Sequence, residues 1–382
     1  MNSRAAERGF SLVELLVAVV ITLIVTGAIY GLIASSQTAF RKEPEAADRQ
    51  QNIRIAMDLI TRDVLIAGQG LPWFAQPFTV ADATCNGNLN GCGPAGMMGP
   101  AAAAARGAGG DVEATDVLEV LAVEEQCPLY SVCEPTGGPI DAPGVIAVHD
   151  AVNANPGGCG AAPSLYVATN NFNFAIVAAT AVAAPGGPCA PPSGAFNNAG
   201  FVAPWASQPG PNPQPLDLIG GTAAAWLAQA RIARYTLAPD PVDGAMSLWR
   251  STTGVYDTSG APVGGPAAGA GTWQLVARGI EDFQVEYMAG NGVWANSPTL
   301  VSCPNQPQPP AGCLPADLAT LTRQVRITLS SRSMAANLQG ETLPGNGNVN
   351  QTALRGQLQS VVAPRTARLA LQSQLLADGG IP

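Results

Sequence analysis

A long apolar run opens the hydrophobic pattern of the chain. From Phe10 to Ala34 the sequence reads FSLVELLVAVVITLIVTGAIYGLIA, with Glu14 as its one charged residue. As a helix this run is about 37 Å long, enough to cross a hydrocarbon core of about 30 Å. A cleaved secretory signal has a shorter apolar region. An ordinary anchor has no use for a carboxylate, which costs about 2.5–3.5 kcal/mol in the bilayer. The pattern therefore predicts a membrane-spanning helix over residues 10–34, in which Glu14 needs a cationic partner.

A half-polar helical pattern continues over residues 35–70. Its apolar positions recur at intervals of three or four, at Ile53, Met57, Ile60, Val64 and Ala67. Its polar side carries Gln51, Arg54, Asp58 and Arg62. We therefore predict an amphipathic continuation of the helix that lies against a sheet. Gly68 and Gly70 are its expected stop, and Pro44 is expected to kink or interrupt it, because proline lacks the amide hydrogen.

Short β-strand patterns follow in the remainder, residues 71–382. The clearest are IEDFQVEYM from Ile280 and RQVRITLSSRS from Arg323, where apolar and polar residues alternate as in half-buried antiparallel strands. Further predicted strands begin at Thr115, Gly144, Ser164, Phe174, Arg231, Ser247 and Thr272. A last one, RTARLALQSQ from Arg365, is expected to close the sheet. The fold class predicted is α+β, with a long N-terminal helix packed on an antiparallel β-sheet head.

Long segments between these strands are rich in Gly, Pro, Ala and Asn. The chain holds 43 Gly and 33 Pro in 382 residues, so much of it is expected to be loop. The predicted loops are residues 81–111, 134–163, 183–222, 255–271, 303–316 and 335–360. Loops this long are either surface insertions or contact surfaces. The net charge of -9 leaves no basic field for phosphate backbones, so nucleic acid is excluded as a partner.

Eight cysteines lie in or beside these loops: Cys85, Cys92, Cys127, Cys133, Cys159, Cys189, Cys303 and Cys313. Their even number favours disulfides. A zinc site is the alternative, but there is no CxxC pair and His149 is the sole histidine. The preferred pairing closes short loops, Cys85 with Cys92, Cys127 with Cys133, Cys159 with Cys189, and Cys303 with Cys313. Disulfides require an oxidising compartment, the periplasm or the cell exterior.

The orientation of the span follows from the cysteines. Arg4 and Arg8 precede the apolar run, whereas Arg41 and Lys42 follow it, so the positive-inside rule is indecisive. A disulfide-bearing head faces away from the cytoplasm, which leaves residues 1–9 inside.

The segment RGFSLVELLVAVVITLIV resembles the prepilin motif of type IV pilins and type II secretion pseudopilins. The resemblance implies a leader over residues 1–9, cleavage after Gly9 by a prepilin peptidase, and methylation of the new N-terminal Phe10. It also implies that Glu14 is the acidic assembly residue, which neutralises the Phe10 ammonium group when subunits pack. Implied partners are other major and minor pilins, bound through the N-terminal helix, and the inner membrane.

Four segments of the head resemble, in order, those of PilW-type minor pilins: MDLITRDVLIAGQG, RYTLAPD with SLWR, LVARGIEDFQVEYM, and VRITLSSRS. The secretion pseudopilin J shares a similar plan. The resemblance implies a structural minor pilin that initiates or caps a type IV pilus and lies near its tip. Alternatives are a J-like secretion pseudopilin and a tip component that binds a ligand itself. A tip adhesin is a candidate partner.

Other side chains with chemical potential are few. A catalytic triad would depend wholly on His149 and Asp150, and the acidic pairs Glu124 with Glu125 and Glu281 with Asp282 are typical of solvated strand edges. Asp240 and Asp243 are candidate calcium ligands without a full ligand loop. The tryptophans Trp205, Trp226, Trp249, Trp273 and Trp294 are a candidate sugar surface, although core and loop anchors are the more common role. We expect no catalytic site, metal or cofactor, and no enzyme activity.

Overall fold

The computed structural model describes residues 11–72, 75–78, 117–127, 129–136, 144–148, 164–169, 173–183, 194–201, 208–209, 226–242, 244–252, 273–296, 298, 321–333 and 355–365. These residues form one helix, α1 (Leu12–Leu65), and fourteen strands. The strands are β1 (Leu118–Val123), β2 (Tyr130–Thr136), β3 (Gly144–Val148), β4 (Ser164–Thr169), β5 (Asn173–Ala183), β6 (Gly194–Phe201), β7 (Gln208–Pro209), β8 (Trp226–Pro239), β9 (Met246–Ser251), β10 (Trp273–Arg278), β11 (Ile280–Ala289), β12 (Trp294–Ala295), β13 (Thr322–Arg332) and β14 (Arg355–Val362).

Helix α1 has 54 residues and is about 80 Å long at 1.5 Å per residue. It continues through Pro44, so this residue does not interrupt the helix, and the alternative of a kink stays a prediction. Its second half packs on the head, and the predicted apolar stripe is buried at Ile53, Met57, Ile60, Val64 and Ala67. The helix ends as predicted before Gly68 and Gly70, which adopt positive φ angles of 77° and 74°. A side chain at Gly70 would also overlap Val123 of β1, because an added Cβ would lie 2.7 Å from the Val123 Cβ.

A four-stranded antiparallel sheet, in the order β12-β11-β13-β14, covers one side of this half of α1. The two strongest predicted strands pair at its centre, with Phe283 opposite Leu329 and Val285 opposite Ile327. These four side chains are buried in the core that also holds the helix stripe. Gly279, with φ 71°, separates β10 from β11 and so passes the chain from one sheet to the next.

The other strands form a ten-stranded antiparallel sheet centred on β8. The C-terminal half of β8 pairs with β1 and β9, and β10 follows on β9. The N-terminal half of β8 pairs with both β2 and β4. Because β2, β3, β6, β5 and β4 also pair in that order, six strands including β8 close on themselves. We call this closed arrangement the barrel ring.

Side chains of the barrel ring fill a core of their own. Tyr130, Val132, Ile146, Tyr166 and Val177 are buried within it. The Tyr130 and Tyr166 rings meet edge to face, with centroids 6.4 Å apart. Leu165 and Val167 alternate with Tyr166 and point instead into a cluster shared with β1 and the segment after α1. The head therefore has a second packed unit beside the helix core.

The long helix and the antiparallel strands confirm the α+β prediction. Several strands were missed. Strands β6 and β7 and most of β14 fall in segments predicted as loop, whereas β12 and most of β2 lie in stretches for which no strand was predicted. The predicted strand from Arg365 lies outside the described residues beyond Arg365, as do most of the predicted long loops.

Candidate functional site

The N-terminal half of α1 stands free of the head. Leu12–Ile33 is long and apolar enough to cross a membrane, by length and composition, and none of it is buried in the protein. Leu12, Leu23 and Ile24 are among its most exposed side chains, and Tyr30 lies near its end. An apolar surface of this size is not stable in water and needs either lipid or other helices around it.

Glu14 lies in the first turn of α1, two residues after the helix begins at Leu12. Its side chain is exposed, and it is the one charged residue between Leu12 and Ile33. Ser11 precedes the helix with extended backbone angles and makes no side-chain cap. A carboxylate in the first turn is favoured by the positive end of the helix dipole. An N-terminal amine at residue 10 would lie about one helical turn before Glu14.

The two threonine hydroxyl groups in this half form hydrogen bonds within the helix. Thr22 Oγ1 donates to the Ala18 carbonyl over 2.7 Å, and Thr26 Oγ1 donates to the Thr22 carbonyl over 2.6 Å. Such back-bonding hides hydroxyl groups from lipid. Glu14 is thus the one charged side chain of the otherwise uncharged segment Leu12–Ile33.

The family model described as "Prokaryotic N-terminal methylation motif" matches residues 4–30. The chain carries a type IV pilin-like prepilin N-terminus. No curated protein and no solved structure gives a significant match to the chain. Together with the exposed apolar helix, the motif supports a membrane-anchored subunit that resembles type IV pilins or pseudopilins. It is consistent with processing by a prepilin peptidase and assembly with other pilins.

The predicted processing residues, Gly9 and Phe10, lie outside the described residues, since the description begins at Ser11. Their roles, and the assembly role of Glu14, stay predictions. The match to residues 4–30 includes all three positions.

A buried ionic network fixes the other end of α1 to the head. Asp63, which is only 2% exposed, accepts hydrogen bonds from Arg250 Nε at 2.8 Å and Arg250 Nη2 at 3.1 Å. Tyr235 donates from its hydroxyl to Asp63 Oδ2, and Arg231 Nη2 lies 3.7 Å from Asp63 Oδ1. Burial and the neighbouring Asp63 carboxylate raise the pKa of Tyr235 well above its usual range. The tyrosine therefore remains protonated and acts as a donor.

Glu119 and Arg234 form a second buried ion pair, across β1 and β8. They are directly opposite each other in the strand register, and Arg234 Nε lies 2.9 Å from Glu119 Oε1. Burial raises the pKa of Glu119, and the Arg234 guanidinium offsets only part of that rise. The pair holds the two strands that link the barrel ring to the helix core.

Of the two candidate calcium ligands, Asp240 is the one that the structure describes. Asp240 is buried, accepts a hydrogen bond from the Val242 amide and pairs with Arg278 Nη2 at 3.1 Å. Its carboxylate thus holds the β8–β9 turn against β10. Asp243 lies outside the described residues. Within the described parts of the chain, no three His, Cys, Asp or Glu side chains are clustered to hold a metal.

The acidic pairs and the tryptophans have structural contacts. Glu125 lies 3.8 Å from Arg365, and Glu281 lies 3.4 Å from Arg332. Trp249 is buried and donates to the Ala238 carbonyl. The Trp294 ring stacks on the Arg326 guanidinium, whose Cζ lies 4.4 Å from the centroid of the ring. Trp226 is exposed on β8 and Trp273 begins β10, so these four do not share one surface. Trp205, His149 and Asp150 lie outside the described residues.

Cys127 is the cysteine whose side chain is described, and it is disulfide-bonded. It lies between β1 and β2, with its sulfur 3.4 Å from Gln229 Oε1. Cys133 lies on β2, and the other six cysteines are outside the described residues. The four pairings and the pinning of loops by disulfides stay predictions.

The network around Asp63 was missed at the level of sequence. Its signal was present, because Asp63 falls on the same side of the helix as Ile60, Val64 and Ala67. A carboxylate among buried apolar residues requires a cationic partner. The partners on β8 and β9 follow only from the strand register.

Proposed function

We propose that this chain is a minor pilin of a type IV pilus, a non-enzymatic structural subunit that helps to initiate or cap assembly. One juxtaposition supports this proposal. Glu14 lies in the first turn of a fully exposed apolar helix, within the methylation motif, and the same continuous helix is anchored to the head at Asp63. Such a subunit rests in the membrane and later packs its helix against others.

The proposed role of Glu14 is to form a charge pair during assembly. Cleavage after Gly9 would create an ammonium group at Phe10 inside an apolar environment. A carboxylate from an adjacent helix neutralises that group, so two unfavourable buried charges become one pair. The pair also sets the axial position of one helix against the next.

Replacing Glu14 tests this proposal. In Glu14→Ala and Glu14→Gln, we expect N-terminal processing to continue and incorporation into filaments to fall. The measurement compares the membrane pool with the sheared filament fraction, and mass spectrometry of the N-terminus reports cleavage and methylation. The control is Thr22→Val, which changes an internally bonded polar residue in the same span. Normal incorporation of Glu14→Ala would refute the charge-pair role.

We place the subunit in the PilW-type branch on the order of its head segments. Three of them correspond to the last helical turns, the β8–β9 hairpin and strands β10–β11, which lie together around one core. In this proposal the leader is cytoplasmic, the head is periplasmic, and the assembled subunit lies near the pilus tip. A J-like secretion pseudopilin has the same N-terminus. A deletion mutant that keeps its pili but loses exoprotein secretion would favour that alternative.

The barrel ring supports a second candidate, a tip component that binds a ligand itself. The ring adds a separately packed unit to the helix-and-sheet head. Deleting residues 183–222 removes β6 and β7 and opens the ring. Loss of adhesion with a normal pilus number would favour ligand binding, whereas loss of piliation would favour the assembly role.

A further inference from the structure

Arg49 marks the point where α1 leaves the head. It lies one turn before Ile53, the first residue of the buried stripe, and on the same side of the helix. Its guanidinium lies against the backbone of Gly356, at the beginning of β14. A Cβ at Gly356 would lie 2.9 Å from Arg49 Cζ and would overlap Nη1. The absence of a side chain at Gly356 therefore makes room for the guanidinium.

The guanidinium of Arg49 lacks the partner that its position demands. Arg49 Nε and Nη1 are buried and have no hydrogen-bond acceptor among the residues that the structure describes. Arginine stays charged in proteins, so these donors cannot be neutralised by losing a proton. By contrast, Arg250, Arg278 and Arg326 of the head each pair with a carboxylate. Arg49 is thus a partly buried cation with two buried donors, for which the described residues supply no anion.

The anion could come from a lipid phosphate or from a protein carboxylate, and the position of Arg49 decides between them. Arg49 is 16 residues beyond Ile33, the end of the apolar span, and about 24 Å along the helix axis. The headgroup layer extends only about 5–8 Å beyond the hydrocarbon core. Even a strongly tilted helix keeps Arg49 clear of lipid phosphates. A protein carboxylate is the remaining acceptor, and Arg49 lies beside the half of α1 that is free to pack with other subunits.

We propose that Arg49 is an assembly contact, which binds a carboxylate of a neighbouring pilin-like subunit where that subunit packs against the base of the head. The inference rests on the proposed function. It adds a second charged contact to the one at Glu14, outside the membrane and near the head. Planar guanidinium and carboxylate groups form paired hydrogen bonds, so this contact also fixes orientation.

Arg49→Met in the full-length chain, expressed in its own cells, tests the proposal. Methionine fills a similar volume without charge. We expect incorporation into filaments to fall about tenfold or more, because the partner carboxylate is left unpaired. The thermal stability of the purified subunit in detergent should stay equal or rise, since an unpaired buried charge has been removed. Arg49→Lys should retain part of the incorporation, and the control Arg54→Gln, on the exposed side of α1, should have none of these effects.

Charge reversal identifies the partner. The assembly defect of Arg49→Glu should be rescued when the contacting Asp or Glu of another pilin-like subunit in the same cell is replaced by Lys. Replacing an acidic residue elsewhere on that subunit should not rescue it. The proposal is overturned if Arg49→Met assembles normally, or if it unfolds the isolated subunit. Glu341 and Asp378 are the acidic residues on either side of β14 in the sequence. The proposal is also overturned if Glu341→Gln or Asp378→Asn reproduces the Arg49→Met defect, which would place the acceptor within the subunit.

The Glu14→Ala strain separates this inference from the proposed function. If Glu14→Ala fails to assemble and Arg49→Met assembles normally, only the Arg49 contact is wrong. If both variants assemble normally, the pilin function itself is wrong.

Discussion

Tyr235 donates its hydroxyl hydrogen to Asp63 Oδ2 over 2.5 Å, and so joins β8 to the last turns of α1. Arg250 of β9 binds the same carboxylate through two of its nitrogens. One buried charge therefore connects the helix to two neighbouring strands. The orientation of the exposed half of α1 relative to the head depends on this connection, because the helix is continuous.

Replacing Asp63 should destabilise the head strongly. In Asp63→Asn the amide leaves Arg250 and Arg231 without a counter-charge, and removing one partner of a buried pair costs about 3–5 kcal/mol. Chemical denaturation of the purified protein in detergent measures this loss. Asp58→Asn, on the exposed side of the same helix, is the matched control and should change stability by less than about 0.5 kcal/mol. Equal effects of the two variants would show that the network contributes little.

A comparison of two glycines with similar backbone angles separates the cost of backbone strain from the cost of steric overlap. Gly70 has φ +74° and would place a Cβ against Val123, whereas Gly244 has φ +71° and no atom within 4 Å of that position. Gly244→Ala should therefore cost only the backbone strain, about 1–2 kcal/mol. Gly70→Ala should cost about 1–3 kcal/mol more, the typical penalty of overpacking. The comparison uses unfolding free energies, and a larger loss for Gly244→Ala would contradict it.

The buried pair of Glu119 and Arg234 predicts a pH dependence. Burial raises the pKa of Glu119 in the folded state above its usual value, so the folded protein holds the proton more tightly than the unfolded chain does. Its contribution to stability is therefore largest below the unfolded pKa and is lost as the pH rises through the folded pKa. Glu119→Gln cannot lose a proton.

Unfolding curves of the wild type and Glu119→Gln between pH 4 and pH 7 check this sign. The stability of Glu119→Gln relative to the wild type should increase as the pH rises. Glu125→Gln, an exposed neighbour, should show no such trend. A relative stability of Glu119→Gln that decreases with pH would mean that Arg234 lowers the pKa of Glu119 overall.

Core substitutions in the barrel ring and in the helix core should each reduce protection from hydrogen exchange mainly in their own unit. Tyr166→Ala removes a buried aromatic ring from the barrel core, which costs about 3–5 kcal/mol at such sites. In native-state hydrogen exchange, amides of β2–β5 should exchange faster while those of β11 and β13 change little. Ile60→Ala, in the helix core, should give the opposite pattern. Uniform loss in both variants would mean that the head unfolds as one unit.

Periodic sequence patterns predicted the helix and the central strands of the head. The stripe from Ile53 to Ala67 is buried as expected, and β11 largely keeps the alternation that predicted it, whereas β13 is buried on both faces from Ile327 to Ser331. These elements each have one face in a core, so their own residues carry the signal. Glu14 stood out for a similar reason, as a charge in an apolar run.

The missed strands depend on partners instead of on their own composition. Strand β6 reads GAFNNAGF, with no alternation, yet it pairs with β3 on one side and β5 on the other. Strand β14 includes Gly356, whose role is to admit Arg49 from a helix some 300 residues earlier in the chain. Such pairings are set by tertiary contacts, which override weak local propensity.

Strand β8 belongs both to the barrel ring and to the sheet that holds α1. Tension applied at the barrel would therefore pass along one polypeptide segment, from Trp226 to Tyr235, and reach the helix through Asp63. The strand would be pulled along its length, so the hydrogen bonds to β1 and β9 would be loaded together and not broken one by one. If the chain packs into a filament, the ionic network at Asp63 would transmit force between the barrel ring and α1.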